Sequence, residues 1–177
     1  MAPTLLRRGF ELVLCLLLCL GLSRCAPFPP RPEKLPPFHG FDTVTWGTSL
    51  EEARKKVTAE GKEVFEEWMD RPPFAFYATG TYLNSPARFT YFFTPKSKKL
   101  YRVDVTLDDP KVHQSVFQDF TAKFGPPSHS QGNVDHWSWT DKTVVILQLA
   151  ADSVQIAYSD GTHALMNHRE GDGLISR

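Results

Sequence analysis

Histidine, aspartate, serine and cysteine have the widest chemical range, so their spacing decides which reactions this chain of 177 residues could support. His163 and His168 stand five apart, which puts them on different faces of a helix, unlike the i, i+4 pair that grips a metal ion. His129 and His136 flank a glycine turn. His136 adjoins Asp135 on a segment of strand character, where consecutive side chains point to opposite faces and cannot make a His–Asp couple. No G-x-S-x-G elbow is present to raise a serine nucleophile. Asp104 and Asp108 share a strand face, but strand rise separates them by about 13 Å, too far for a glycosidase pair. Cys15, Cys19 and Cys25 all lie near the N-terminus. The rest of the chain therefore has no disulfide framework, no cysteine metal site and no cysteine nucleophile. These spacings point to no catalytic residue, no metal set and no cofactor. The alternative reading is a small envelope enzyme or a metal-binding protein that works through its histidines.

Binding has the better physical footing. From Phe74 onward the pattern has period two. If Tyr101, Val103, Val105 and Leu107 face the helices, the opposite face carries Tyr77, Thr90, Phe92, Arg102 and Asp104. Aromatic and charged residues mixed in this way have the composition of protein-interaction patches, so Tyr77, Phe92, Arg102 and Asp104 form the candidate binding set. The competing expectation is that the N-terminal segment or a second copy covers Tyr77 and Phe92. Lys96, Lys98 and Lys99 at a hairpin tip read as a solvated turn rather than a phosphate site.

The elements that would hold this face follow from local signals. Asp109 to Gly125 is a helix with both ends specified. Asp109 can accept the first amides, Pro110 tolerates the first helical position, and Gly125 followed by Pro126 and Pro127 stops it. Val112, Val116, Phe117, Phe120 and Phe124 lie on one face. Ser49 and Glu52 form a capping box for a second helix, with Leu50, Ala53 and Val57 as its buried stripe and Gly61 as its end. Glu63 to Asp70 extends that helix or forms a short one. Strands are expected near Phe74–Thr79, Phe89–Phe93, Tyr101–Leu107, Val134–Trp139, Thr143–Leu149 and Val154–Tyr158, and a short tail helix near His163–Arg169. The expected fold is α+β, an antiparallel sheet of about six strands with two helices on one face. It reads as a duplicated unit of helix plus three-strand meander.

The first 25 residues read as an export signal. Arg7 and Arg8 precede the apolar run Leu12–Leu22, which is too short to span a bilayer at roughly 20 residues. Leu22-Ser23-Arg24-Cys25 resembles the bacterial lipobox, from which Arg24 departs, so Cys25 is the candidate lipidation site. Residues 26–37, APFPPRPEKLPP, form an extended proline-rich linker, and 38–177 make a single domain. Formal charges cancel across the chain, which gives no nucleic-acid surface.

Four motifs carry a family resemblance: W-G-T-S-L-E-E-A at Trp46–Ala53, K-L-Y-R-V at Lys99–Val103, F-x-x-x-F-G-x-P at Phe120–Pro127, and W-S-W at Trp137–Trp139. Together they resemble a broad group of small bacterial exported domains and lipoproteins of unknown function. The helix-and-strand units are more distantly similar to β-lactamase-inhibitor and outer-membrane-assembly lipoprotein folds, which act by binding other proteins. The resemblance implies location on the periplasmic side of a bacterial cell envelope, soluble or lipid-anchored, and a partner that is another envelope protein. It brings no catalytic residue.

Overall fold

The computed structural model describes residues 38–68 and 71–175. The export signal, Cys25 and the proline-rich linker lie outside the described residues. A two-residue-strand hairpin comes first, β1 (Gly40–Phe41) and β2 (Val44–Thr45), followed by helix α1 (Leu50–Ala59). Four strands then form a meander, β3 (Glu63–Trp68), β4 (Phe74–Tyr82), β5 (Ser85–Phe93) and β6 (Leu100–Leu107). A 3-10 turn, Pro110–Val112, leads into α2 (His113–Phe124). A second meander follows, β7 (His129–Gln131), β8 (Val134–Ser138), β9 (Val144–Leu149) and β10 (Val154–Ser159), then α3 (Gly161–Ile175).

The sheet order is β3-β4-β5-β6-β10-β9-β8-β7, with every neighbouring pair antiparallel. This corrects the expected α+β layout: the main sheet has eight strands, a separate two-stranded sheet accompanies it, and there are three helices rather than two. The repeating unit is a helix plus four strands, and the two units join through their last strands, β6 and β10. The two edge strands account for the undercount. Glu63–Trp68 is strand β3, not helix, and a bulge between Val64 and Glu66 breaks its alternation. That bulge puts Phe65 and Trp68 three apart on one side, a spacing that imitates a helix. β7 has only three residues, all exposed, so it carries no apolar pattern.

Local signals explain the helices. Asp109 accepts the Lys111 amide at 2.9 Å, and the Gly125 amide closes on Thr121 O with φ at 82°. Trp137 Nε1 then donates to Gly125 O at 2.9 Å, tying the end of α2 to the sheet. In α1 the Ser49–Glu52 box does not form. Ser49 makes no side-chain cap, Glu52 pairs with Lys56 one turn on, and the start of the helix is held by a bridge between Ser49 and Lys99.

Both helices and the hairpin cover one sheet face. Phe38 packs on Phe124, Trp139 and Tyr158, and Phe41 on Tyr82, Phe89, Tyr91 and Tyr158. The hairpin therefore touches strands of both meanders. Its turn is pinned by charge: Lys62 Nζ lies 2.8 Å from Asp42 and also pairs with Glu60, which accepts the Thr43 amide at 3.0 Å. Helix α3 runs along the strand ends. Gly161 abuts the Asp141–Lys142 turn, His163 meets Gly47, and Glu170 holds the β5–β6 tip. Gly47 has φ at 77°, and a Cβ there would sit 2.4 Å from His163 Nε2, so a side chain would be strained and would displace the His163 ring. Among the described residues no helix is long and apolar enough to cross a membrane.

Candidate functional site: the helix-free sheet face

Cross-strand register sets out the opposite face in rows, because paired residues share a side. One row runs Trp68, Ala75, Phe92, Arg102, Ser159, Val144 and Ser138. The next runs Tyr77, Thr90, Asp104, Ala157, Ile146, His136 and His129. All four expected binding residues lie here, in two groups. Phe92, Arg102 and Asp104 are together: Arg102 donates Nε to Asp104 Oδ1 at 2.6 Å and Nη2 to Oδ2 at 2.8 Å, and its guanidinium lies 5.7 Å from the Phe92 ring centre. Tyr77 belongs to a second group at the β3 edge.

That second group includes two residues that sequence reasoning missed. Phe65 and Trp68 lie 6.1 and 6.2 Å from the Tyr77 ring and are 54% and 47% exposed. The N-terminal segment covers neither group where it is described, because Phe38 and Phe41 pack on the helix side. Tyr101 is a further correction. The register shift at Phe92/Phe93 places it 6.5 Å from Phe92, partly exposed, away from the buried Val103, Val105 and Leu107. Burial still pushes its phenol up.

The charges on this face are paired with one another. Arg102 and Asp104 satisfy each other in a fork. Asp108 lies past the end of β6 and pairs with Arg88 at 2.6 Å, so Asp104 and Asp108 make no carboxylate pair. The lysine tip is also occupied. The amides of Lys96 and Ser97 and the Ser97 hydroxyl all donate to Glu170, and Lys98 Nζ sits 4.4 Å over the Phe74 ring.

On the helix side, a cavity of about 410 Å³ lies among Phe38, Phe41, Tyr82, Phe124 and Tyr158. The Tyr82 and Tyr158 hydroxyls are 2.5 Å apart, and burial pushes both phenols up, so the pair stays protonated and acts as a hydrogen-bonded tie. A His–Asp couple does exist, though not at His136. His163 Nδ1 lies 2.7 Å from Asp160 Oδ2, and that same oxygen accepts the His163 amide at 2.8 Å. Asp160 thus caps α3, and no serine or cysteine bonds the ring among the described residues. The other missed pair is His129 with His136. They are register partners at the far sheet edge, with ring centres 6.0 Å apart. No group of three or more metal-ligating side chains occurs among the described residues. No family model, curated protein or solved structure matches the chain, so the family resemblance rests on the four motifs alone.

Proposed function

We propose that this chain is an exported protein of the bacterial cell envelope, tethered through Cys25, and that its domain is a non-catalytic protein-binding module. The partner is an extended basic segment of another envelope protein, which adds alongside β3. The observation that carries this reading is the exposed pair Phe65 and Trp68, in ring contact with Tyr77 on an edge strand of six residues. Edge strands usually escape unwanted pairing by being short or charged. β7 follows the first device with three residues. β3 is twice as long and leaves Phe65 and Trp68 about half exposed, so its protection rests on the negative charge of its sequence, E-V-F-E-E-W, which turns away most strands but admits a cationic one. An added strand gains main-chain hydrogen bonds, the exposed Glu63 favours a cationic sequence, and burying each ring stabilises by about 1.5–3 kcal/mol.

A photo-cross-linking residue at position 65, compared with one at Gln155 on the same face of the second meander, tests this in the expressing cell. The expected adduct forms from position 65 alone and is lost in Glu63→Lys. Equal adducts from both positions would remove the β3 edge as the site. The tether has a separate test, mass spectrometry of the mature N-terminus. Acylated Cys25 is expected, and an unmodified terminus at Arg24 or Ala26 would leave a free envelope protein.

A further inference from the structure

The His129–His136 pair is set by turn geometry. Gly132 at φ 58° and Asn133 connect β7 to β8, so Gln131 faces Val134 and His129 faces His136. Two histidines equidistant from a turn must meet across the ladder on one face. Their ring centres are 6.0 Å apart, with planes inclined at 54°. Two imidazole nitrogens each about 2.0–2.1 Å from a shared tetrahedral ion would place the ring centres about 5 Å apart. Closing that gap takes side-chain rotation alone. Neither ring has a hydrogen bond or ion pair within the described residues, so no existing contact must be broken. The hairpin lies at the sheet edge, with His129 exposed and His136 partly so.

We propose that His129 and His136 form a two-imidazole site for a divalent transition ion that prefers nitrogen ligands, with solvent filling the remaining positions. Nitrogen donors select Zn²⁺, Ni²⁺ and Cu²⁺ over Mg²⁺ and Ca²⁺. The side chains sharing this face around the pair are Gln131, Val134, Ser138, Val144, Ile146 and Gln148, none of them titratable. Asp135 turns to the other face and accepts from Ser130 Oγ at 2.5 Å. With no carboxylate in the set, the two imidazoles are the ligands that the protein supplies.

The test is Ni²⁺ titration of the tag-free full chain, followed by amide NMR and by calorimetry. Paramagnetic broadening should centre on the amides of residues 129, 136 and 146 and disappear when a chelator removes the ion. His129→Ala and His136→Ala should each weaken the binding by about tenfold or more, because one imidazole remains. His163→Ala should leave it unchanged. Broadening centred on His163 and His168 instead, or a single variant within twofold of the wild type, would overturn the site. Circular dichroism confirms that each variant is folded. His129→Asn, which keeps a polar side chain on the exposed edge, must lose binding as His129→Ala does.

Discussion

The two meanders share one topology but place their bulk on opposite sides of the same interface. In the first, the sheet supplies the aromatic rings, Phe74, Phe76, Phe89, Tyr91 and Phe93, and α1 answers with Leu50, Ala53 and Val57. In the second, the sheet supplies Val145, Leu147, Val154 and Ile156, and α2 brings Phe120, flanked by Phe117 and Phe124. Trp137 and Tyr158 are the large residues that the second sheet keeps, and Phe120 packs edge-on to both. Large against small on each side holds interior density constant while the residue types change places. A duplicated frame therefore tolerates a wholesale exchange of core residues if the total volume across each interface is conserved.

Truncations test that exchange most severely. Phe120→Ala should cost about 3–5 kcal/mol, whereas Val57→Ala on the corresponding helix should cost about 2 kcal/mol, near 0.8 per methylene. On the sheet the order reverses, with Phe76→Ala at about 3–5 kcal/mol and Val145→Ala near 2. Urea midpoints at constant slope measure all four. Equal losses for Phe120 and Val57 would refute the exchange.

The ion cluster belongs to the first half alone, and Lys62→Ala should cost roughly 2 kcal/mol. This lies below the range for fully buried pairs because Asp42 remains 42% exposed. Burial raises the Glu60 carboxyl, but hydrogen bonds from Lys62 and Thr43 outweigh it and hold the group below its ordinary 4.5. Burial lowers the Lys62 ammonium, but Asp42 and Glu60 outweigh it and hold the group above 10.5. The Glu60 contribution is thus present above about pH 4.5 and lost as pH falls through its folded value. The Lys62 contribution is complete below about pH 10.5 and lost as pH rises through its folded value. Midpoints measured across pH should show both falling limbs, and Lys62→Ala should flatten them.

Trp137→Phe removes the bond to Gly125 O that ties α2 to the second half of the sheet, at a cost of about 1 kcal/mol by the same measurement. The smallest effect is expected at Arg88–Asp108, a pair with side chains 57% and 69% exposed, where Arg88→Ala should shift stability by less than about 0.5 kcal/mol.

What could be read from the chain beforehand follows from how local each signal is. Val103, Val105 and Leu107 alternate without interruption, and α2 has a stop written into Gly125 and the prolines after it, so both were plain. Arg102, Asp104 and Phe92 share a face by simple alternation and by short-range strand pairing. Tyr101 and the pair Phe65 and Trp68 sit at bulges, where one extra residue reverses or disguises the period. The number of strands was lost at β3 and β7 for the same reason, since a bulged strand and a three-residue strand both lack a readable pattern. The His129–His136 pairing was within reach. The run H-S-Q-G-N-V-D-H is symmetric about Gly-Asn, and counting outward from that turn brings the histidines opposite each other.

The junction between β6 and β10 also bears on kinetics. Each meander is assembled from near neighbours in sequence, but Val103 must find Tyr158, and Phe41 must then close over that same tyrosine. Contacts of such long separation form slowly, because loop entropy is lost before the contact returns anything. Until β10 arrives, β6 presents an open edge bearing Val103, Val105 and Leu107, and the hairpin lacks one of its aromatic contacts. The most aggregation-prone moment in the life of the chain is therefore the interval between completing the first meander and completing the second. During that interval a chaperone has most to shield at the centre of the future sheet, and the edges exposed in the native protein matter less.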